Sequence, residues 1–301
     1  MIKAVTVTNY LGQSKRFELA FPEKSGFAVQ SIDGLGPSKA TINMTETATN
    51  DGALYNSARA ASRNVVFTFR LLAAPQVEDA RQESYKYFPL KKKVKISVET
   101  DNRVCETYGY VESNEPDIFS SEESTQISVI CPDPYLYSEG ANTTVFYGVD
   151  PLFEFPFSNE SVVRPLIHMG EILRFTERNI PYSGDVEIGL LITMHAIGEV
   201  RNITIYNTGT REVMRIDTGK LQELTGTGMI AGDEIIINTV KGEKSVTLLR
   251  NGFYLNILNC LDKESDWFQL AKGNNIFAYT AEEGLFHLQF KVENKTAYEG
   301  V

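Results

Sequence analysis

At 301 residues and 33.7 kDa, the chain is too long for one ordinary core and suits two domains. Hydrophobic residues at 42% and charged residues at 23% exclude a wholly disordered or collagenous chain. Lys and Arg number 29 against 39 Asp and Glu, a formal charge of −10. That balance argues against nucleic acid or an anionic membrane as partner, because phosphate neutralisation supplies most of such affinity.

In chain order, the opening Met1–Thr8 lacks the long apolar core of a signal peptide, so synthesis in a cytoplasm and a soluble product are expected. Short β-branched and aromatic runs then predict strands at Lys3–Asn9, Arg16–Ala20, Asn64–Leu72, Val94–Thr100, Thr107–Glu112 and Gln126–Ile130. In Arg63–Leu72, Val65, Phe67 and Phe69 point one way while Val66, Thr68 and Arg70 point the other. Gly34–Lys39 faintly echoes a phosphate loop but lacks its Gly-Lys-Ser/Thr ending and reads as a turn. The small, polar stretch Thr45–Ser62 reads as an unstructured arm that packs on something other than its own core. Its candidate contact residues are Asn50, Leu54 and Tyr55.

One helix is predicted over Val77–Phe88, with Val77, Ala80, Tyr85 and Phe88 on one face, acids in its first turn and Pro89 as its stop. It would plug one side of a sheet or barrel. Lys91-Lys92-Lys93-Val94-Lys95, read as a strand, places Lys91, Lys93 and Lys95 on one face. That face is either a solvated edge that deters aggregation or a surface meeting the acidic side of a neighbouring copy. Cys131-Pro-Asp-Pro-Tyr-Leu-Tyr137 ends the first half, since its prolines remove ladder donors. Domains are therefore expected at 1–137 and 138–301.

The second half predicts strands at Pro151–Phe157, Val163–His168, Gly184–Met194, Arg201–Tyr206, Arg211–Asp217, Asp233–Asn238, Ser245–Leu249, Asn275–Thr280 and Leu285–Val292. Strands of this regularity with almost no helix imply a β-sandwich or jelly roll. Phe286, Leu288, Phe290 and Val292 would face its core. In Trp267-Phe-Gln-Leu-Ala-Lys-Gly-Asn274, Trp267 and Leu270 would anchor a loop, Gly273 supply a positive φ and Asn274 hold the turn. Core anchoring outweighs the other reading of Trp267, a sugar-stacking platform.

Catalytic, metal and cofactor residues are not expected. His168, His195 and His287 lack ligand spacing, and no Gly-x-Ser-x-Gly elbow is present. Cys105, Cys131 and Cys260 are odd in number, far apart and without Cys-x-x-Cys, so they read as buried apolar groups. Adjacent acids such as Glu122-Glu123 read as solvated turns, although a glycosidase pair could meet across strands.

Several of these segments, taken together, resemble the siphophage distal tail proteins. They are the Gly52-x10-Arg63-Asn-Val-Val-Phe-Thr-Phe stretch, the helix after it, and Cys131–Tyr137. Next come Tyr182–Asp185, Ile205–Gly209, Gly232–Asn238 and the Trp-x-x-Leu-x-x-Gly-Asn run. The resemblance covers nearly the whole chain. It implies a mainly β protein with an N-terminal β-sandwich or split-barrel domain carrying one short helix, and a C-terminal galectin-like or jelly-roll β-sandwich. It further implies a non-enzymatic virion protein at the tail tip, made in the bacterial host cytoplasm and forming a hexameric ring through its N-terminal domains. The partners implied are the tail tube protein, the tape measure protein, a tail-associated lysin or hub protein and, at the rim, a receptor-binding protein. The alternative reading is a carbohydrate-binding module for a host cell-wall glycan, which a cluster of exposed aromatics on the second domain would favour.

Overall fold

The computed structural model describes residues 1–46, 51–72, 76–120, 122–150 and 171–301, with 148–150 and 171–174 described as backbone. Asn50, His168 and the strands expected over Pro151–Phe157 and Val163–His168 lie outside the described residues. The chain divides into two compact units, Met1–Gly140 together with Ala297–Val301, and Ala141–Thr296.

The first unit contains β1 (Ile2–Thr8), β2 (Ser14–Glu18), β3 (Phe27–Asp33), β4 (Ala40–Glu46), β5 (Ala53–Ala60) and β6 (Arg63–Leu71). The helix α1 (Val77–Tyr87) follows, then β7 (Lys93–Thr100), β8 (Val104–Pro116), β9 (Ser124–Cys131) and β10 (Leu136–Ser138). The main sheet runs β2-β1-β7-β8-β9-β6-β3, every described pair antiparallel. Its end strands β2 and β3 are not paired with each other among the described residues. They meet instead through Phe17 and Phe27, whose rings lie edge to face at 5.3 Å. The sheet thus curls toward a barrel and stays open.

Alternation along the strands explains this core. Val65, Phe67, Phe69 and Leu71 of β6 are buried, as are Val94, Ile96 and Val98 of β7. Phe17, Phe27, Phe67, Phe69 and Phe88 form one aromatic cluster, each ring contributing about 1.5–3 kcal/mol by leaving water. The helix supplies Phe88 from its C-terminal end and turns Ala80 and Ser84 inward, four residues apart. Tyr85, expected on that face, is exposed.

Arg63 shares the parity of the buried residues on β6, so its guanidinium enters the protein. There it donates to Pro134 O at 2.7 and 2.9 Å, Gly34 O at 2.5 Å, and Gly36 O and Glu299 O at 2.6 Å. Burial holds its pKa below the ordinary arginine value. A Cβ on Gly34 (φ +83°) would sit 1.9 Å from Asn64 O, so only glycine allows this close approach. The terminal residues return to this unit, Ala297–Tyr298 pairing with β10, although the sequence placed them in the second domain. Pairing across some 160 residues leaves no local sequence signal.

The second unit opens with β11 (Asn142–Val145), β12 (Tyr147–Asp150), β13 (Glu171–Arg174), β14 (Glu177–Tyr182), β15 (Leu191–Ala196), β16 (Arg201–Asn207) and β17 (Glu212–Ile216). After α2 (Thr218–Thr225) come β18 (Glu234–Asn238), β19 (Ser245–Arg250), β20 (Phe253–Asn256), β21 (Gly273–Glu283) and β22 (Leu288–Asn294). A six-stranded sheet, β11-β22-β15-β18-β19-β20, packs on a four-stranded one, β14-β21-β16-β17. Tyr279 of the smaller sheet stacks on Phe290 of the larger at 4.7 Å, which makes the unit a β-sandwich.

Two details of this unit differ from expectation. A second helix exists, α2, capped by Asp217 Oδ1 accepting from Gly219 N and Lys220 N, and ended by Gly226 in the left-handed region. Phe286 is exposed because Leu285–His287 form a 3-10 turn, and inward alternation starts only at Leu288. Buried Asp233 receives a two-pronged bond from Arg250, Nε to Oδ1 at 2.7 Å and Nη2 to Oδ2 at 2.5 Å. Arg250 also reaches Thr225, Thr227 and Gly228, pinning the end of α2 to β18 and β19.

Candidate functional site

Within the polar stretch read as an unstructured arm, Ala53–Ala60 instead form one strand of a β-ribbon. Among the described residues, strands β4 and β5 pair only with each other, from Ala40 opposite Ala60 to Glu46 opposite Ala53, and every residue of both is exposed. Asn43 Nδ2 donates to Ser57 Oγ at 3.0 Å and Asn56 Nδ2 to Thr45 Oγ1 at 2.6 Å, so polar side chains knit one face. Met44 stands opposite Tyr55 and Ile42 opposite Ala58, so the other face is apolar, with Glu46 at its tip. Leu54 and Tyr55, expected to act together, point to opposite faces because neighbours in a strand alternate. Ile42 and Met44 were not anticipated, although the alternation Thr41, Asn43, Thr45 against Ile42, Met44 signals them.

The lysine strand is partly as expected. Lys93 faces outward with its ammonium 4.7 Å from the Tyr108 ring centroid, and Lys91 lies in the preceding turn at φ +62°. Lys95, by contrast, is committed within its own chain, 2.5 Å from the buried Glu106 carboxylate. Lys92 takes its place at the surface, its ammonium 5.4 Å from the Tyr10 ring.

The Glu106 contact outweighs desolvation and holds the Lys95 pKa above its ordinary value. A raised folded-state pKa means that the contribution is complete below the unfolded lysine value, about 10.4, and is lost as pH rises through the folded one. Urea midpoints for wild type and Lys95→Met should therefore differ most below the unfolded lysine value, and the difference should shrink as pH rises past it. A constant difference would refute this.

In the second unit the anchored loop is displaced by one residue from its expected form. Phe268 is fully buried, edge to face with Phe277 at 5.3 Å, while Trp267 is only partly covered, with the Lys244 ammonium 5.1 Å above it. Asn275, not Asn274, holds the turn, accepting from Ala271 N at 3.0 Å and donating to Ala271 O at 2.8 Å. Asn274 instead accepts from Asn179 across the sheet. A strand of period two turns such a slip into a change of face. Leu270 is buried, and Gly273 has φ +111° as the turn requires. Phe268→Ala should cost roughly 3–5 kcal/mol in chemical denaturation, and Trp267→Ala roughly 1 kcal/mol. Equal losses would restore Trp267 as the anchor.

No group of three or more His, Cys, Asp or Glu side chains able to hold a metal occurs among the described residues. Cys105, Cys131 and Cys260 are buried free thiols, each with its pKa raised by burial. Phe253 and Tyr254 are exposed on the sheet-edge strand β20. As strand neighbours they point to opposite faces and do not form one stacking platform.

Two antiparallel β units, the first bearing an exposed β-ribbon, define a mainly β protein of two modules. Residues 183–293 match the family of siphovirus-type tail components, C-terminal domain. This bears out the resemblance to siphophage distal tail proteins. Over 97% of this chain and 98% of its own, the Dit protein of phage SPP1 has a similar fold, with TM-score 0.66 at 13% identity. That protein is described as a paradigm of the hub adsorption apparatus in phages infecting Gram-positive bacteria. A chain of the phage P2 baseplate in its activated, calcium-bound conformation is similar over 98% of this chain and 99% of its own, with TM-score 0.51 at 11% identity. No curated protein matches the chain in sequence.

Proposed function

We propose that the chain is a non-enzymatic structural protein of a phage tail tip, self-assembling through its first unit into a six-fold ring. The ring joins the tail tube to the adhesion apparatus, and the second unit carries outward contacts. The observation that carries this reading is the family match over residues 183–293 together with the likeness of the whole fold to a hub protein. The free-standing ribbon supports it, since a ring needs two different surfaces on each subunit that match head to tail. Candidate contact residues are Leu54, Tyr55, Lys91 and Lys93, with Asn50 beyond the described residues; Lys95 is withdrawn by its pairing with Glu106. Partners would be the tail tube, tape measure and hub or lysin proteins, with a receptor-binding protein at the rim.

Immunogold electron microscopy of intact virions tests the assignment. Label confined to the tail tip, with six-fold density there, is the expected result. Label along the tube or on the capsid would overturn it.

A further inference from the structure

Unit 1 carries two exposed surfaces on different parts of its main sheet. The ribbon joins β3 to β6 at one end. The second surface lies where β1, β7 and β8 run side by side, with Tyr108 and Tyr110 of β8 exposed beside Lys93, which stands opposite Tyr110. Tyr10, just past β1, is exposed beneath the Lys92 ammonium. Among the described residues no ion pair takes up Lys92 or Lys93, although the chain is acidic overall. The apolar ribbon face presents Ile42, Met44 and Tyr55 and carries one carboxylate, Glu46, at its tip. One surface is apolar with a negative tip, the other aromatic with two positive charges that rest on tyrosine rings and, among the described residues, pair with no carboxylate. A head-to-tail contact matches the two, each copy giving its ribbon to the next and receiving another copy's ribbon on its patch.

We propose that the apolar face of the β4–β5 ribbon of one copy seats on the tyrosine–lysine patch of the next, with Glu46 against Lys92 and Lys93. This rests on the ring reading and names the neighbour's receiving surface. Tyrosine supplies large contact area at low entropic cost, and the lysines set direction and register.

The test is the mass of the purified full chain in solution, by sedimentation and native mass spectrometry. A Lys92→Glu, Lys93→Glu double variant should associate about 100-fold more weakly, and adding Glu46→Lys should restore most of the loss. Tyr55→Ser should weaken association about tenfold while Thr41→Ala, on the opposite, polar face, leaves it unchanged. All five substituted side chains are exposed, and circular dichroism checks that each variant folds. Wild-type association of the double lysine variant overturns the pairing. If a ribbon-deleted chain is then monomeric, the ring reading survives. A wild-type chain that remains monomeric at every concentration overturns both.

Discussion

Replacing Ala40–Ala60 by a short Gly-Ser turn should leave unit 1 folded and abolish ring formation. Ala40 and Ala60 are cross-strand partners, so the cut ends already lie side by side and a tight turn can span them. All the residues of β4 and β5 are exposed, so their removal opens no cavity in the aromatic core. A lone two-stranded ribbon is marginal in water, and ordering it costs roughly 1–2 kcal/mol per residue. Contacts with a neighbour would offset that cost, which makes assembly the property that the deletion removes. Unchanged thermal unfolding of the deleted chain, with loss of rings in electron micrographs and of infectious tails in complementation, is the expected outcome. Normal rings from the deleted chain would reduce the ribbon to a surface decoration.

Arg63→Met should destabilise unit 1 by roughly 5 kcal/mol, enough to unfold it or leave it scarcely folded. Methionine fills much of the volume, so packing is not the main loss. The carbonyls of Gly34, Gly36, Pro134 and Glu299 all accept from one guanidinium, and each loses its donor. A buried acceptor left unmatched costs about 1–3 kcal/mol. Arg63→Lys should recover only part of the loss, because an ammonium cannot spread its donors over the planar fork that reaches all four. Chemical denaturation of wild type and both variants checks the order: wild type, then lysine, then methionine. A near-neutral Arg63→Met would mean that water replaces the guanidinium at little cost.

The sequence by itself determined the β class, the strands with clean alternation and the single helix of the first half. Each depends on neighbours one to four residues apart. Val65, Phe67 and Phe69 alternate, and Val77–Phe88 carries its own charges and stop, so periodicity and caps suffice. The same rules also contained α2, between the cap Asp217 and the left-handed Gly226, and the ribbon strand β4. Both were obscured because polar residues in that density also describe a loop. Within Trp267–Asn275 the residue types were legible but the face was not. Which parity of a strand meets the core is set by the opposing sheet, and it selected Phe268 and Asn275 over Trp267 and Asn274.

Tertiary structure alone decided three further points. Arg63 becomes a buried hub only because Gly34, Pro134 and Glu299 converge on it from remote parts of the chain. Lys95 leaves the exposed lysine face only because strand register sets it beside the buried Glu106. Lys92 and Lys93 join three tyrosines into one patch only because β1, β7 and β8 are neighbours. A lysine in a one-dimensional string has no partner and no face. Its charge becomes a structural bond or a free contact according to which strand folding lays beside it.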